Sequence, residues 1–287
     1  MIDAPVHTPR INWFPGHMRK ALREAGEKLK LVDLVLEVRD ARLPFSTGNT
    51  DLEQRLGNKK RLIIINKTGY ADPGNLAKWE AWFQEQNLPY LAVNALDFKS
   101  VKKIVPFAAQ MMKERNQKYI RKGIKPPPLR MMVMGLPNTG KSTLINSLTQ
   151  RKATVTGNRP GVTKAQSWIS IKGNLELMDT PGIMPPRIIT DEVGMSMVAI
   201  HAIKDEIPGK ERLGMYLMGL FLEQRPHEFI ERFGVPEEIT PEEALELVAT
   251  KVGALKKGGV TAYDKAHAAL INEYRKGKLG RLVFEWP

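Results

Sequence analysis

The chain reads as an α/β protein: a mostly parallel sheet with helices on both faces, followed by an all-helical C-terminal part. Three observations predict this. Short apolar runs alternate with helical patterns over the first two-thirds of the sequence, and such β–α alternation builds a parallel sheet covered on both faces. Between one apolar run and a helix stands Gly135-Leu136-Pro137-Asn138-Thr139-Gly140-Lys141-Ser142, which fits the P-loop pattern G-x-x-x-x-G-K-[ST]. Beyond Pro185-Pro186 the strand pattern stops. The expected division is 1–188 for the sheet unit and 189–287 for the helical unit.

The elements follow in order. Met18, Leu22, Ala25, Leu29 and Val32 recur at helical spacing. Leu34 to Val38 reads as a buried strand ending in Arg39-Asp40, and Arg61 to Ile65 as a second strand running into Asn66-Lys67. Asn75 to Gln86 is a helix, Tyr90 to Val93 a third strand, and Ser100 to Lys118 one basic helix. Gly123-Ile124-Lys125-Pro126-Pro127-Pro128 cannot continue a helix and marks a linker. Arg130 to Met134 is the fourth strand, and Lys141 to Thr149 the helix behind the Gly-rich turn. Ser167 to Ile171 and Leu175 to Met178 form a hairpin around Gly173-Asn174. Residues 190–287 read as helical, with Leu282 to Phe284 the one candidate strand. Thr240-Pro241-Glu242-Glu243 starts one of those helices, with Thr as N-cap, Pro at the first position and Glu at the third.

With 287 residues and 42% hydrophobic content, the chain can bury a core without staples. It has no cysteine, which excludes disulfides, thiolate nucleophiles and Cys-ligated metals. Gly214 to Leu222 is about the longest apolar run and is too short to span a bilayer, so no integral membrane span is expected. Met1 to Asn12 has neither the apolar core of a secretory signal nor the Arg-rich pattern of a transit peptide.

Net charge is +13 and it is unevenly placed. Residues 1–195 hold 31 basic and 17 acidic residues, whereas 196–287 hold 13 and 14. Residues 99–130 carry ten basic residues against one acid, Glu114. Two readings stand: a polyanionic partner whose phosphates shed counterions on contact, or a solvated helix and linker. The first leads.

The phosphate loop explains its own residue types. Glycines let backbone N–H groups curl round a phosphate at a helix N-terminus. Lys141 supplies a point charge to the β- and γ-phosphates, and Ser142 offers a hydroxyl to Mg²⁺. Asp179-Thr180-Pro181-Gly182 closes the Leu175–Met178 strand, where Asp179 can hold Mg²⁺ through water and the Gly182 N–H can sense the γ-phosphate. Pro160-Gly161-Val162-Thr163 brings the Thr163 hydroxyl to the metal if that segment moves. Asn66-Lys67 is like the Asn-Lys-x-Asp box that reads guanine in GTPases, and Val93-Asn94-Ala95-Leu96 is like the box that backs the base. Both precede the P-loop here, whereas in ordinary GTPases both follow it. The order is that of a circular permutation, which keeps a sheet intact if the old termini lie close together.

With Trp13-Phe14-Pro15-Gly16-His17-Met18, this order of boxes resembles the circularly permuted ribosome-biogenesis GTPases of the YlqF/RbgA type, mitochondrial members included. The resemblance covers nearly the whole chain. It implies a P-loop NTPase fold and GTP hydrolysis that is slow until stimulated on the ribosome. The implied partner is a late precursor of the large ribosomal subunit with its ribosomal RNA, and not DNA. The implied location is the bacterial cytoplasm, or the mitochondrial matrix for an organellar protein. The nucleotide contacts expected are Asn66, Lys67, Thr68, Gly69, Asn94, Ala95, Asn138, Thr139, Gly140, Lys141, Ser142, Thr143 and Gly182. Ser142, Thr163 and Asp179 are the Mg²⁺ set, and His17, Lys141 and Thr163 the catalytic set.

Three positions qualify the resemblance. Ile183 stands where Ras-like enzymes carry the Gln that orients water, and the resemblance assigns that role to His17. The resemblance makes Asn138 a K⁺ ligand; read alone, a residue that only shapes the turn is an equal reading. Gly69 stands where the base box has Asp, so the carboxylate that accepts from guanine is missing, while Asp72 lies three residues on. Two alternatives therefore remain: an RNA-binding assembly factor that holds nucleotide as a structural ligand, and an ATPase of the same architecture.

Overall fold

The computed structural model describes residues 23–24, 26–49, 55–150, 168–171, 173–180, 190–255 and 261–287, with Asp179 by its backbone. Among these, six strands form one sheet: β1 Leu34–Asp40, β2 Lys60–Asn66, β3 Tyr90–Ala92, β4 Leu129–Gly135, β5 Trp168–Ile171 and β6 Leu175–Asp179. Their order is β3-β2-β1-β4-β6-β5, with every pairing parallel except that of β5 with β6. The central strand β1 is buried along its whole length. Alternate residues therefore feed opposite faces. Leu34, Leu36 and Val38 join Leu62, Ile64, Met131, Val133 and Leu144 on one side. Val35 joins Met132, Met134 and Leu29 on the other, where Ile63 and Ile65 meet Trp79 and Phe83 in a neighbouring cluster.

The sheet helices are α1 Pro73–Glu85, α2 Phe98–Val101, α3 Ile104–Met111, α4 Lys113–Arg121 and α5 Lys141–Thr149. Asp72 caps α1, its Oδ1 accepting from the Asn75 N–H at 2.7 Å. The single basic helix expected over Ser100–Lys118 is three helices instead. Pro106 cannot donate back to Lys102 and its ring crowds that carbonyl, so the chain turns at Lys102-Lys103. A second turn at Met112 (φ −101°, ψ 12°) separates α3 from α4.

Among the described residues five helices follow: α6 Asp191–Ala199, α7 Lys210–Gln224, α8 His227–Phe233, α9 Pro241–Lys251 and α10 Tyr263–Arg275. Thr190 caps α6, and Thr240 with Glu243 makes a reciprocal capping box on α9. Phe221 and Phe229 stack at 4.4 Å in the core of this half, with Phe233 and Tyr274 edge-on beside them. Helices α7 and α10 approach so closely at Gly214 that a Cβ there would lie 2.2 Å from the His267 Nδ1. Leu43 and Leu136 from the sheet half complete this core, so the two halves share apolar packing.

The strand expected at Leu282–Phe284 does not form. This segment pairs with a side chain rather than a strand: Gln224 donates to the Val283 carbonyl at 2.7 Å and accepts its N–H at 2.8 Å. The tail then crosses onto the sheet half. The Glu285 carboxylate accepts from the Phe45 and Ser46 N–H groups at 2.6 and 3.1 Å. Its carbonyl accepts from Asn75 and Trp79 at 3.0 and 3.3 Å. Lys78 sits 4.8 Å above the Trp286 ring.

Candidate nucleotide-binding site

The P-loop begins where β4 ends, and α5 begins at Lys141. Gly140 adopts φ 93°, and a Cβ there would lie 2.3 Å from Asn66 Nδ2, so this position tolerates glycine alone. Thr139 is fully buried, its hydroxyl donating to the Leu136 carbonyl at 3.0 Å. Lys141 is buried too, and its Nζ donates to the same carbonyl at 2.7 Å. Ser142 and Thr143 occupy the first turn of α5, half-buried.

Asn66 ties the cleft together. Its Nδ2 donates to the Thr139 carbonyl at 2.8 Å, and its Oδ1 accepts the Ala95 N–H at 2.9 Å. One buried side chain thus joins the end of β2, the loop after β3 and the P-loop. Lys67 takes a left-handed conformation (φ 64°), donates to the Asn138 carbonyl and pairs with Asp40 at 3.0 Å. Thr68 and Gly69 form the short 3₁₀ turn Thr68–Tyr70, and the Thr68 N–H donates to the Val93 carbonyl at 3.4 Å. Asn94 Oδ1 accepts the Leu96 N–H at 3.1 Å, which leaves its Nδ2 facing Gly69.

A buried ion cluster supports Lys67 from behind. Asp40 accepts from Arg42 Nε and Nη2 at 2.9 and 2.8 Å. Burial pushes the Asp40 carboxyl up, but the charges of Arg42 and Lys67 outweigh it and hold it well below the usual carboxylate range. Burial lowers the Lys67 pKa, with Asp40 opposing and Arg42 reinforcing that shift. Arg42 faces Tyr274 on α10, whose hydroxyl burial pushes up to about 12 against the influence of Arg42. Sequence reasoning misses this cluster. Its signal is the charge-rich run Glu37-Val38-Arg39-Asp40-Ala41-Arg42, which closes a strand that opens with Leu34-Val35-Leu36.

Two more contacts link cleft and helical half. Asn138 (φ 59°) donates from Nδ2 to the His201 carbonyl at 2.7 Å, and Arg281 Nε donates to the Gly69 carbonyl at 3.3 Å. Asp72 does not enter the cleft, because its carboxylate caps α1. Gly69 is not required by the backbone. A Cβ there meets nothing nearer than Asn94 Nδ2 at 4.0 Å, so an aspartate would fit. Asp179 ends β6 in register with Val133, and the Thr180 hydroxyl donates to the Val133 carbonyl at 2.7 Å. His17, Thr163, Gly182 and Ile183 lie outside the described residues, as do Met18, Leu22 and Ala25 of the expected first helix.

A parallel sheet with this P-loop, and with its base-side loops encoded ahead of it, defines a circularly permuted P-loop GTPase. The family model described as 50S ribosome-binding GTPase matches residues 130–211. Ribosome biogenesis GTPase A of Bacillus licheniformis is 41% identical over 280 residues, covering 96% of this chain and 98% of that protein. The Thermotoga maritima protein of the same name is 31% identical over 96% of this chain and 95% of its own length. The crystal structure of GNP-bound YlqF from T. maritima superposes with a TM-score of 0.67 at 27% identity, over 93% of this chain and 98% of that one. The chain belongs to the ribosome biogenesis GTPase A (YlqF/RbgA) family. It is accordingly a GTPase that binds GTP and GDP. Among the described residues no helix is long and apolar enough to cross a membrane.

Proposed function

We propose that the chain binds a late precursor of the large ribosomal subunit and its ribosomal RNA, and that a GTP–GDP cycle drives its part in their maturation. The observation that carries this reading is the pair of hydrogen bonds made by Asn66. They draw the base-side loops and the P-loop into one cleft although the chain encodes them in permuted order. The working division is 1–188 for the GTPase unit and 189–287 for the RNA-binding helical unit. Its compartment is the bacterial cytoplasm, with the mitochondrial matrix the counterpart for organellar relatives.

Within the cleft, the amides of Asn138 to Thr143 and the Lys141 ammonium hold the phosphates. Asn66, Lys67, Thr68, Gly69, Asn94 and Ala95 enclose the base, and the Gly182 N–H reports the γ-phosphate. Ser142, near the start of α5, and Asp179, at the end of β6, carry hard oxygens, a donor set that suits Mg²⁺ once Thr163 joins it. When bound, that ion neutralises charge developing on the phosphate oxygens. The Lys141 ammonium, anchored on the Leu136 carbonyl, gains a charge-assisted bond when a phosphate oxygen comes within its reach. His17 orients the attacking water, the role that Ile183 has no polar atom to fill.

We assign K⁺ to Asn138, whose side chain faces the helical half through the His201 carbonyl. The potassium assignment predicts faster hydrolysis in KCl than in NaCl. Phosphate release measured with and without large-subunit precursors tests the whole reading. Hydrolysis should be slow alone and accelerated on particles, with His17→Ala losing the acceleration. Full-speed hydrolysis by the free protein would refute it.

A further inference from the structure

The cleft gathers at the C-terminal ends of the strands. Lys60 opens β2 at the opposite end and Asn66 closes it, so six residues, or about 20 Å, separate the two ends. Beside Lys60 lies a groove of about 420 Å³ lined by four cations, Lys60, Arg115, Lys118 and Lys122, against one acid, Glu114, with Tyr119 in its wall. Two of the cations fix its floor. Lys60 Nζ donates to the Met111 carbonyl at 2.6 Å, at the end of α3. Arg115 donates to Asp33 at 3.0 Å and to the Pro127 and Pro128 carbonyls at 3.2 and 3.3 Å, pinning the proline linker against the sheet. It also lies 5.3 Å from the Tyr119 ring centre.

Lys118 and Lys122 are different. They stand one helical turn apart, are exposed, and have no ion-pair partner among the described residues. Like charges at this spacing destabilise a helix. Cations in the last turn of α4 do suit its dipole, which accounts for one or two of them. It does not account for ten against one across residues 99–130.

We propose that this groove is a binding surface for an RNA backbone, with Lys118 and Lys122 each contacting a phosphate over the floor set by Lys60 and Arg115. The proposal rests on the ribosomal reading above, which supplies RNA as the polyanion. It goes further by placing an RNA contact on the sheet half, at the end remote from the nucleotide. Closely repeated backbone phosphates match two cations a single helical turn apart, whereas an acidic protein surface offers no such regular spacing.

The test uses the full chain bound to a non-hydrolysable GTP analogue, titrated with large ribosomal subunits and with protein-free large-subunit RNA across a salt series. Lys118→Gln/Lys122→Gln should lower affinity for both roughly tenfold at moderate salt. It should also flatten the slope of log affinity against log salt by about 2, one unit per phosphate lost. The charge-reversed pair Lys118→Glu/Lys122→Glu should lose more. Unfolding midpoints of both variants establish that they are folded. Wild-type affinity and slope in the folded variants overturn the proposal. So does loss of binding to phosphatidylserine vesicles or polyglutamate with RNA binding intact. If the wild type binds neither subunits nor RNA, the ribosomal reading itself fails and this inference fails with it.

Discussion

In the sheet half Glu37, Arg39, Asp40, Arg42 and Lys141 are buried, whereas from Asp191 onward the buried polar side chains among the described residues are Ser196 and His267. The sheet half closes its charges into networks: Glu37 accepts from Arg39 and Arg61 at 3.0 Å each and from the Asn49 N–H at 3.0 Å. The helical half instead stacks aromatic rings around Phe221. Apolar packing stabilises without dictating direction, while a buried ion pair is stable only in one geometry. Geometric specification is therefore concentrated where the cleft loops leave the sheet, and cohesion is left to the helices.

The two halves should respond differently to loss of their central side chains. Asp40→Ala leaves the buried Arg42 and the half-buried Lys67 without their partner and should cost about 3–5 kcal/mol in denaturant unfolding, with GTP affinity falling in parallel. Phe221→Ala should cost a similar 3–5 kcal/mol, through a cavity, yet leave the GTP affinity of the folded protein unchanged. Equal losses of nucleotide affinity in both variants would erase the distinction.

Gly69→Asp should act on the cleft alone. The added carboxylate should strengthen GTP binding by about 1.5–3 kcal/mol, with a smaller gain for ITP, which lacks the exocyclic amine; competition binding reads this directly. Asn66→Ala should cost about 1–3 kcal/mol of stability and weaken GTP at least as much, since it removes the link between three loops. Acid titration probes the ion cluster alone. Because the Asp40 pKa is depressed on folding, its contribution is present above the ordinary carboxylate value near 4 and is lost as pH falls below it. Asp40→Asn should therefore flatten the acid limb of the stability profile, measured as unfolding midpoint against pH. Smallest is Trp286→Ala: its ring is exposed and partnered by Lys78, so the loss should stay under about 1 kcal/mol.

Much of the sheet half was legible because its signals are local. Strand β2 announces itself through the apolar run Leu62 to Ile65 and the P-loop through its glycines and lysine, whereas α1 starts two residues ahead of the expected Asn75 because Asp72 caps it. The permuted order of Asn66, Asn94 and Gly135–Ser142 was readable for the same reason. What escaped depends on partners distant in sequence or on sterics. Pro106 breaks the basic helix through a clash that periodicity does not register. Leu282-Val283-Phe284 has strand composition, yet Gln224 takes its backbone groups. Arg42 looks like surface charge until Asp40 and Tyr274 surround it.

The Glu285 clasp bonds residues 206 to 240 positions apart in the chain. Closing a free loop that long costs about 5 kcal/mol in entropy, more than a few hydrogen bonds return. The clasp therefore forms after the helices have drawn the tail near, as a late event in folding. By the same reasoning it opens early under stress, and the Phe45 and Ser46 amides should exchange with solvent before the strands beside them do.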